Sequence, residues 1–135
     1  MSESEITQAQ QVLFDAGLAK RREILGSDWV DAALAKRTPF NAEFQEMITR
    51  TAWAEVWRRD GLDDATRRLL VVAVTAALGR WSEFRLHVRS GLQQQGFTQE
   101  ALKQTLLQLA VYAGVPAANT AFTEAQAIID ALAEV

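Results

Sequence analysis

Helix-capping residues and glycines divide this chain at short, regular intervals, and that punctuation restricts the folds open to it. Asp63 or Asp64 can cap one helix and Thr98 another, while Gly79 and Gly114 follow the segments that these residues begin. A side-chain oxygen at a helix start bonds exposed backbone N–H groups, and glycine after the last turn readily adopts the left-handed conformation that ends a helix. The pattern therefore predicts an all-α protein.

The same signals along the whole chain predict a compact helical bundle of six to seven helices. Gly17 is expected to weaken or divide the first of them, since glycine in a helix costs about 1 kcal/mol relative to alanine. The apolar run LLVVAVTAAL, residues 69–78, is compatible with a buried strand, but its alanines and the flanking Asp and Gly favour a fully buried helix. The predicted helices span residues 6–23, 28–36, 41–58, 63–78, 81–95, 98–113 and 116 onward.

Length and composition exclude several classes of protein. A chain of 135 residues is expected to form one domain, residues 1–135. The net charge of −3 and the scattered arginines predict no nucleic-acid partner. The longest apolar run is too short to span a bilayer, and the polar, acidic N-terminal segment does not resemble a signal peptide, so we expect a cytoplasmic protein without a membrane partner.

The chain contains no cysteine and one histidine. Without thiols it can form neither a disulfide nor a redox pair nor a cysteine nucleophile. A single histidine also makes a zinc site built from protein ligands improbable, and we expect no metal.

The single histidine lies in the segment RWSEFRLH. At helical spacing, Arg80, Glu83 and His87 fall on one stripe beside an apolar arc that contains Phe84. The stripe could form one wall of a pocket with an acid–base group, a cation and a carboxylate. Spacing alone favours a plainer interpretation, in which the stripe is a solvated face with a Glu83–His87 pair.

Other residues stand out on the segment predicted over residues 41–58 and near Gly114. Glu55 continues the arc of Phe40 and Phe44, which we expect to face inward, so its carboxylate would be paired, protonated or beside a cavity unless the helix frays there. Trp53 and Trp57 lie on the opposite side of that helix, either as packing residues or at a subunit interface. Tyr112 could offer a phenol to a pocket, although a core tyrosine is the commoner case.

Two long segments resemble the carboxymuconolactone decarboxylase family. They are RREILGSDWVDAALAKRTPFNAEFQEMITRTAWAEVW and GLDDATRRLLVVAVTAALGRWSEFRLHVRSGLQQQGFTQEALKQTLLQLAVYAGVPAANTAF. The resemblance covers about Arg21 to Leu132 and leaves the first ~20 residues as a less characteristic extension. The wider superfamily, the alkylhydroperoxidase-like proteins, carries a CxxC pair and a histidine. Aligning that histidine with His87 puts Arg80 and Glu83 at the cysteine positions, which excludes disulfide-based peroxide reduction.

The resemblance implies an all-α enzyme that decarboxylates γ-carboxymuconolactone to 3-oxoadipate enol-lactone and CO2 in protocatechuate catabolism by the β-ketoadipate pathway. It also implies a homo-oligomer, commonly a hexamer, and the two tryptophans on an outer face would fit burial between subunits. The alternatives are a related decarboxylase or isomerase that acts on another carboxylated lactone, and a non-catalytic oligomeric binding protein of the same fold.

The chemistry of such a substrate assigns expected roles. No cofactor is needed, because the unsaturated lactone accepts the electrons that CO2 leaves behind. His87 would donate a proton or bind the enolate oxygen, and Glu83 or Glu55 would orient it and keep it protonated. Substrate carboxylates would pair with arginine, and apolar side chains would exclude water. The residues expected to contact substrate are Arg80 first, then Arg58 or Arg85, with Trp53, Trp57, Phe84 and Tyr112.

Overall fold

The computed structural model describes residues 1–134, and these residues form helices and no β-strand. The prediction of an all-α protein is confirmed. Among these residues, no helix is long and apolar enough to cross a membrane. The chain divides into two compact units, residues 1–62 and residues 63–134.

The N-terminal unit contains three α-helices and one π-helical segment. Helix α1 spans Glu3–Leu25, α2 spans Ser27–Ala35, α3 spans Ala42–Ile48, and the π-helical segment spans Thr49–Val56. Ser2 and Glu5 form a reciprocal capping box at the start of α1, and Gly26, with a φ of 91°, ends it. Contrary to the sequence expectation, Gly17 does not divide α1, because it lies against the π-helical segment, where a side chain would overlap the carbonyl oxygen of Thr49.

The π-helical segment corrects the faces assigned from the sequence. The Trp57 N–H donates to the Ala52 carbonyl at 3.0 Å, a bond that spans five residues instead of four and widens the turn. Trp53 and Trp57 therefore lie on the inner face, with stacked rings 5.1 Å apart, and the expectation of an outer face is wrong. Phe40 and Phe44, which were expected to face inward, are exposed.

The C-terminal unit contains four helices around one apolar core. Helix α4 spans Asp64–Leu78, α5 spans Trp81–Gln93, α6 spans Gln99–Ala113 and α7 spans Val115–Ala133. Asp63 and Thr98 cap α4 and α6 as expected, and Gly79 ends α4 in the left-handed conformation. The largest fully buried side chains of this core are Phe84, Leu102, Leu106, Val72 and Val88.

Helix α4 is less buried than its apolar sequence indicates. Its buried residues are Arg68, Val72 and Ala76, one residue per turn along a single stripe. Leu70, Val74 and other apolar side chains of the same helix are about half exposed. The prediction of a fully buried helix is wrong for this chain, because only one side of α4 packs against α5, α6 and α7.

Candidate active site

Helix α5 carries His87 at the edge of the core. The helix buries Phe84 and Val88 completely, and His87 lies three residues after Phe84, so its side chain borders the same packed face. His87 is 8% exposed, and its Nδ1 atom is inaccessible to solvent. A histidine in this position is a buried polar group rather than part of a solvated face.

Arg68 brings a buried positive charge to this region from α4. It is 4% exposed, and its Nη2 donates to the side-chain carbonyl of Gln94 at 3.1 Å. Gly96 gives the guanidinium room, because a Cβ atom at that position would overlap the Arg68 side chain. Two residues of the turn after α5 therefore position Arg68: Gln94 accepts its hydrogen bond, and Gly96 leaves room for its side chain.

Burial and charge together set the protonation state of His87. Burial in the core, then the positive charge of Arg68, lower the pKa of His87 to about 4, while Glu83 opposes them and raises it. Both causes disfavour the imidazolium form, one by loss of hydration and the other by like-charge repulsion. At neutral pH the imidazole is uncharged, so it can donate or accept a hydrogen bond but holds no proton that it readily releases.

The negative charge of Glu83 acts on His87, and Arg80 lies at the start of the helix that carries both residues. Both Arg80 and Glu83 are exposed, one at the residue that precedes α5 and the other in its first turn. Phe84 is fully buried in the core of the C-terminal unit, about one helical turn before His87. Arg85 forms an ion pair with Glu124 at 3.2 Å.

Tyr112 lies on α6, and it is 82% exposed. It lines an apolar cavity of about 690 Å³ between α4 and α6, together with Leu70, Val74 and Leu109. The phenol is therefore at a surface cavity, and the alternative of a core tyrosine is excluded.

The remaining candidates belong to the N-terminal unit. Glu55 is exposed, and its backbone carbonyl accepts a hydrogen bond from Nε of Arg59 at 2.8 Å. Arg58 is also exposed, whereas Trp53 and Trp57 are buried and stacked on each other. Of the two alternatives for Glu55, the structure shows the exposed one, because the π-helical segment turns Trp53 and Ala54 inward instead.

Sequence reasoning missed Arg68. A weak signal was available, since Arg68, Val72 and Ala76 recur at a spacing of four residues and so share one face of α4. The neighbouring Arg67 offers the same side chain one residue earlier, and only the packing of α4 decides which of the two is buried.

Comparison with known proteins shows which sequences this chain resembles. The sequence model of the carboxymuconolactone decarboxylase family matches residues 42–127, which include His87 and Arg68. A 4-carboxymuconolactone decarboxylase from Acinetobacter baylyi is 42% identical over 115 residues, which is 85% of each chain. A nitrosuccinic acid decarboxylase from Metarhizium robertsii is 38% identical over 118 residues, or 87% of this chain and 82% of the relative. A 4-carboxymuconolactone decarboxylase from Pseudomonas putida is 56% identical over 39 residues, which cover 29% of this chain and 81% of that sequence.

Proposed function

The chain belongs to the carboxymuconolactone decarboxylase family, and from that premise we propose that it converts 4-carboxymuconolactone to 3-oxoadipate enol-lactone and CO2. The structural observation that carries this proposal is the buried pair of His87 and Arg68 in the segment that matches the family. An uncharged imidazole beside a buried cation is suited to a reaction that develops negative charge on oxygen.

The proposed reaction needs no external electron acceptor. The bond between the γ-carbon and the departing carboxylate breaks, and its electron pair moves through the C=C bond to the lactone carbonyl oxygen. A proton then adds to the α-carbon, so one proton is consumed and one CO2 is released. The protein has to hold the substrate, stabilise the dienolate oxygen and admit a proton.

We assign the oxyanion role to His87. Its lowered pKa leaves it neutral at pH 7, so it is a poor reservoir for the proton but can donate a hydrogen bond to the dienolate oxygen. Because Nδ1 is inaccessible, a substrate would meet the imidazole at its Nε2 edge. The charge of Arg68 would favour negative charge on the substrate in the same low-dielectric region.

The exposed candidates have supporting roles in this proposal. Arg80 lies one turn before Glu83 at the start of α5, where its flexible side chain can pair with a substrate carboxylate. Glu83 raises the pKa of His87, so it would also stabilise any imidazolium that forms during turnover. Arg58, Glu55, Tyr112 and the two tryptophans remain proposed contacts, each open to test by substitution.

Similarity to the nitrosuccinic acid decarboxylase supports a second candidate substrate class. A nitro group attached to the carbon that loses CO2 can accept the electron pair as a nitronate, which is then protonated on that carbon, as the lactone carbonyl accepts the pair in the first proposal. The 38% identity to that relative extends over most of both chains. The second candidate is therefore decarboxylation of nitrosuccinic acid, a small acid that carries its own electron acceptor.

One experiment distinguishes these candidates. Purified protein, treated with a metal chelator and given no cofactor, is incubated with 4-carboxymuconolactone or with nitrosuccinic acid, and CO2 release is measured. We expect one CO2 per lactone and much slower turnover of the nitro acid. Faster turnover of the nitro acid would favour the second candidate, and no CO2 from either would contradict both.

We also propose a cellular compartment and an oligomeric state for the enzyme. The substrate would be a small dianion that does not cross a bilayer unaided, which supports our proposal that the protein acts in the cytoplasm. The exposed apolar face of α4 and α6 supports a homo-oligomer, and the family resemblance implies a hexamer.

A further inference from the structure

The N-terminal unit buries a second arginine that decarboxylation at His87 does not use. Arg21 lies on α1 and is 7% exposed. Its Nε and Nη1 atoms are inaccessible to solvent and have no hydrogen-bond partner within residues 1–134. Burial lowers the pKa of the guanidinium. These two nitrogens are shielded from a ligand as well as from water, so an anion would meet the guanidinium at Nη2 and offset the cost of burying its charge.

Arg21 lines a cavity that concentrates positive charge. The cavity has a volume of about 280 Å³, and its polar and aromatic walls come from Arg21, Trp29, Lys36, Arg37, Asn41 and Gln45. Three cations and two side-chain amides face it, and none of the residues that line it is acidic. The nearby carboxylate of Asp31 is paired with Arg22 at 2.6 Å.

The remaining wall favours an organic ligand over an inorganic ion. The Arg21 guanidinium carbon lies 5.7 Å from the centre of the Trp29 ring, which holds the charge in place by a cation–π contact. Ala32 and Ala33 add apolar surface beside it. The volume is near the lower end of the range for small-molecule sites, roughly 300–1,000 Å³, and therefore suits a compound of a few carbon atoms.

We propose that this cavity is a binding site for a small aliphatic dicarboxylate. One carboxylate accepts a hydrogen bond from Nη2 of Arg21, and the carbon chain lies along Trp29 and the alanines. The second carboxylate is held at the rim by Lys36 and Arg37, which are both exposed. The proposal goes beyond decarboxylation, since all of these residues belong to the N-terminal unit, whereas His87 belongs to the C-terminal unit.

Calorimetric titration of the full-length protein with adipate, at low ionic strength, tests the proposal. We expect saturable binding of adipate, weaker binding of inorganic phosphate and none of the corresponding uncharged diol. Tight binding of phosphate relative to adipate would mean a simple anion site and would overturn the assignment, as would no binding of adipate.

Variants locate the site. Arg21→Met should weaken adipate binding by roughly tenfold or more, because a charge-assisted hydrogen bond is lost. The double change Lys36→Gln and Arg37→Gln, at exposed positions that folding tolerates, should weaken it by about threefold and reduce its salt dependence. The double variant keeps the test decisive if Arg21→Met fails to fold.

Two controls complete the experiment. Lys103→Gln removes an exposed lysine of the C-terminal unit and should leave adipate affinity unchanged. His87→Gln should also bind adipate normally, even if it no longer decarboxylates the lactone. Unchanged affinity in both cavity variants, or loss of adipate binding in His87→Gln, would overturn the proposal. Failure of the decarboxylase assay alone would leave this result unaffected.

Discussion

His87 shows how burial and a neighbouring charge, that of Arg68, can keep an imidazole neutral over a wider pH range than usual. Burial and the positive charge of Arg68 lower the pKa of His87 to about 4, and Glu83 only partly offsets them. The proposed oxyanion role depends on this neutral imidazole. His87 is also the one histidine of the chain, so its titration can be followed without ambiguity.

We predict that the imidazole of the untagged protein stays neutral well below its usual titration range. Its proton NMR signals should hardly move between about pH 7.5 and about pH 5.5, because the pKa lies near 4. Arg68→Met should raise that pKa by removing the repulsion, whereas Arg89→Gln, a change at an exposed arginine on the same helix as His87, should not. A midpoint near 6.5 in the unmodified protein would contradict the prediction.

The same shift predicts how stability depends on pH. In the unfolded chain His87 is protonated once the pH falls below its ordinary pKa of 6.5, whereas in the folded protein it is protonated only near pH 4. The stabilising contribution of this group is therefore complete above pH 6.5 and is lost as the pH falls toward 4. When the pH is lowered from about 7 to about 4.5, the free energy of unfolding measured with urea should fall by roughly 2 kcal/mol more in the unmodified protein than in His87→Gln. Equal losses in both proteins would contradict it.

At the scale of elements, the α-helices could be predicted from the sequence and the π-helical segment could not. Capping residues and glycines mark where the α-helices begin and end, and most observed limits lie within two residues of the expected ones for α4, α5 and α6. A π-helical turn has no comparable mark in the sequence, and the observed segment packs against α1, which lies far from it along the chain. Its wider turn moved Trp53 and Trp57 inward and Glu55 outward, so sequence reasoning placed these candidates on the wrong faces.

The contact between α1 and the π-helical segment depends on Gly17. We predict that Gly17→Ala destabilises the protein by about 2 kcal/mol or more, because the new methyl group would overlap the Thr49 backbone carbonyl. Gly61→Ala is a matched control, as a Cβ atom there meets nothing within 4 Å. Denaturant unfolding of the two variants measures the difference. Equal stability would show that the two elements can separate without cost.

The candidate site was only partly predictable for a related reason. His87 is recognisable because no other side chain of the chain normally titrates near neutrality, and its spacing from Phe84 places it beside the core. Arg68 is one of two adjacent arginines, so only tertiary packing reveals which is buried. The family resemblance was confirmed by the match to residues 42–127, and the roles of individual site residues stay predictions.

At the scale of the whole molecule, the exposed apolar residues of α4 and α6 predict self-association. Leu70, Val74, Leu78 and Val111 are each about half exposed or more in this chain. A contiguous apolar surface of this kind is typical of an interface. Since Trp53 and Trp57 are buried within their own unit, this surface replaces them as the expected contact between subunits.

Light scattering at micromolar concentration should therefore give a mass well above the 15.0 kDa of one chain. Changing Leu70 and Val74 together to Glu should reduce the mass toward that of a monomer, because charges on both surfaces would repel and lose hydration. Val12→Glu, at an exposed position of α1, serves as the control. A 15.0 kDa species in the unmodified protein would contradict the prediction.

The central claim is that His87 acts directly in decarboxylation, and its most direct test is the turnover number of His87→Gln with 4-carboxymuconolactone. Glutamine keeps a polar side chain of similar size, so circular dichroism should report a folded protein, and Arg89→Gln controls for a change on the same helix. We expect kcat to fall by roughly 10²-fold or more in His87→Gln and to stay near normal in the control. A folded His87→Gln protein that releases CO2 at the normal rate would contradict the account.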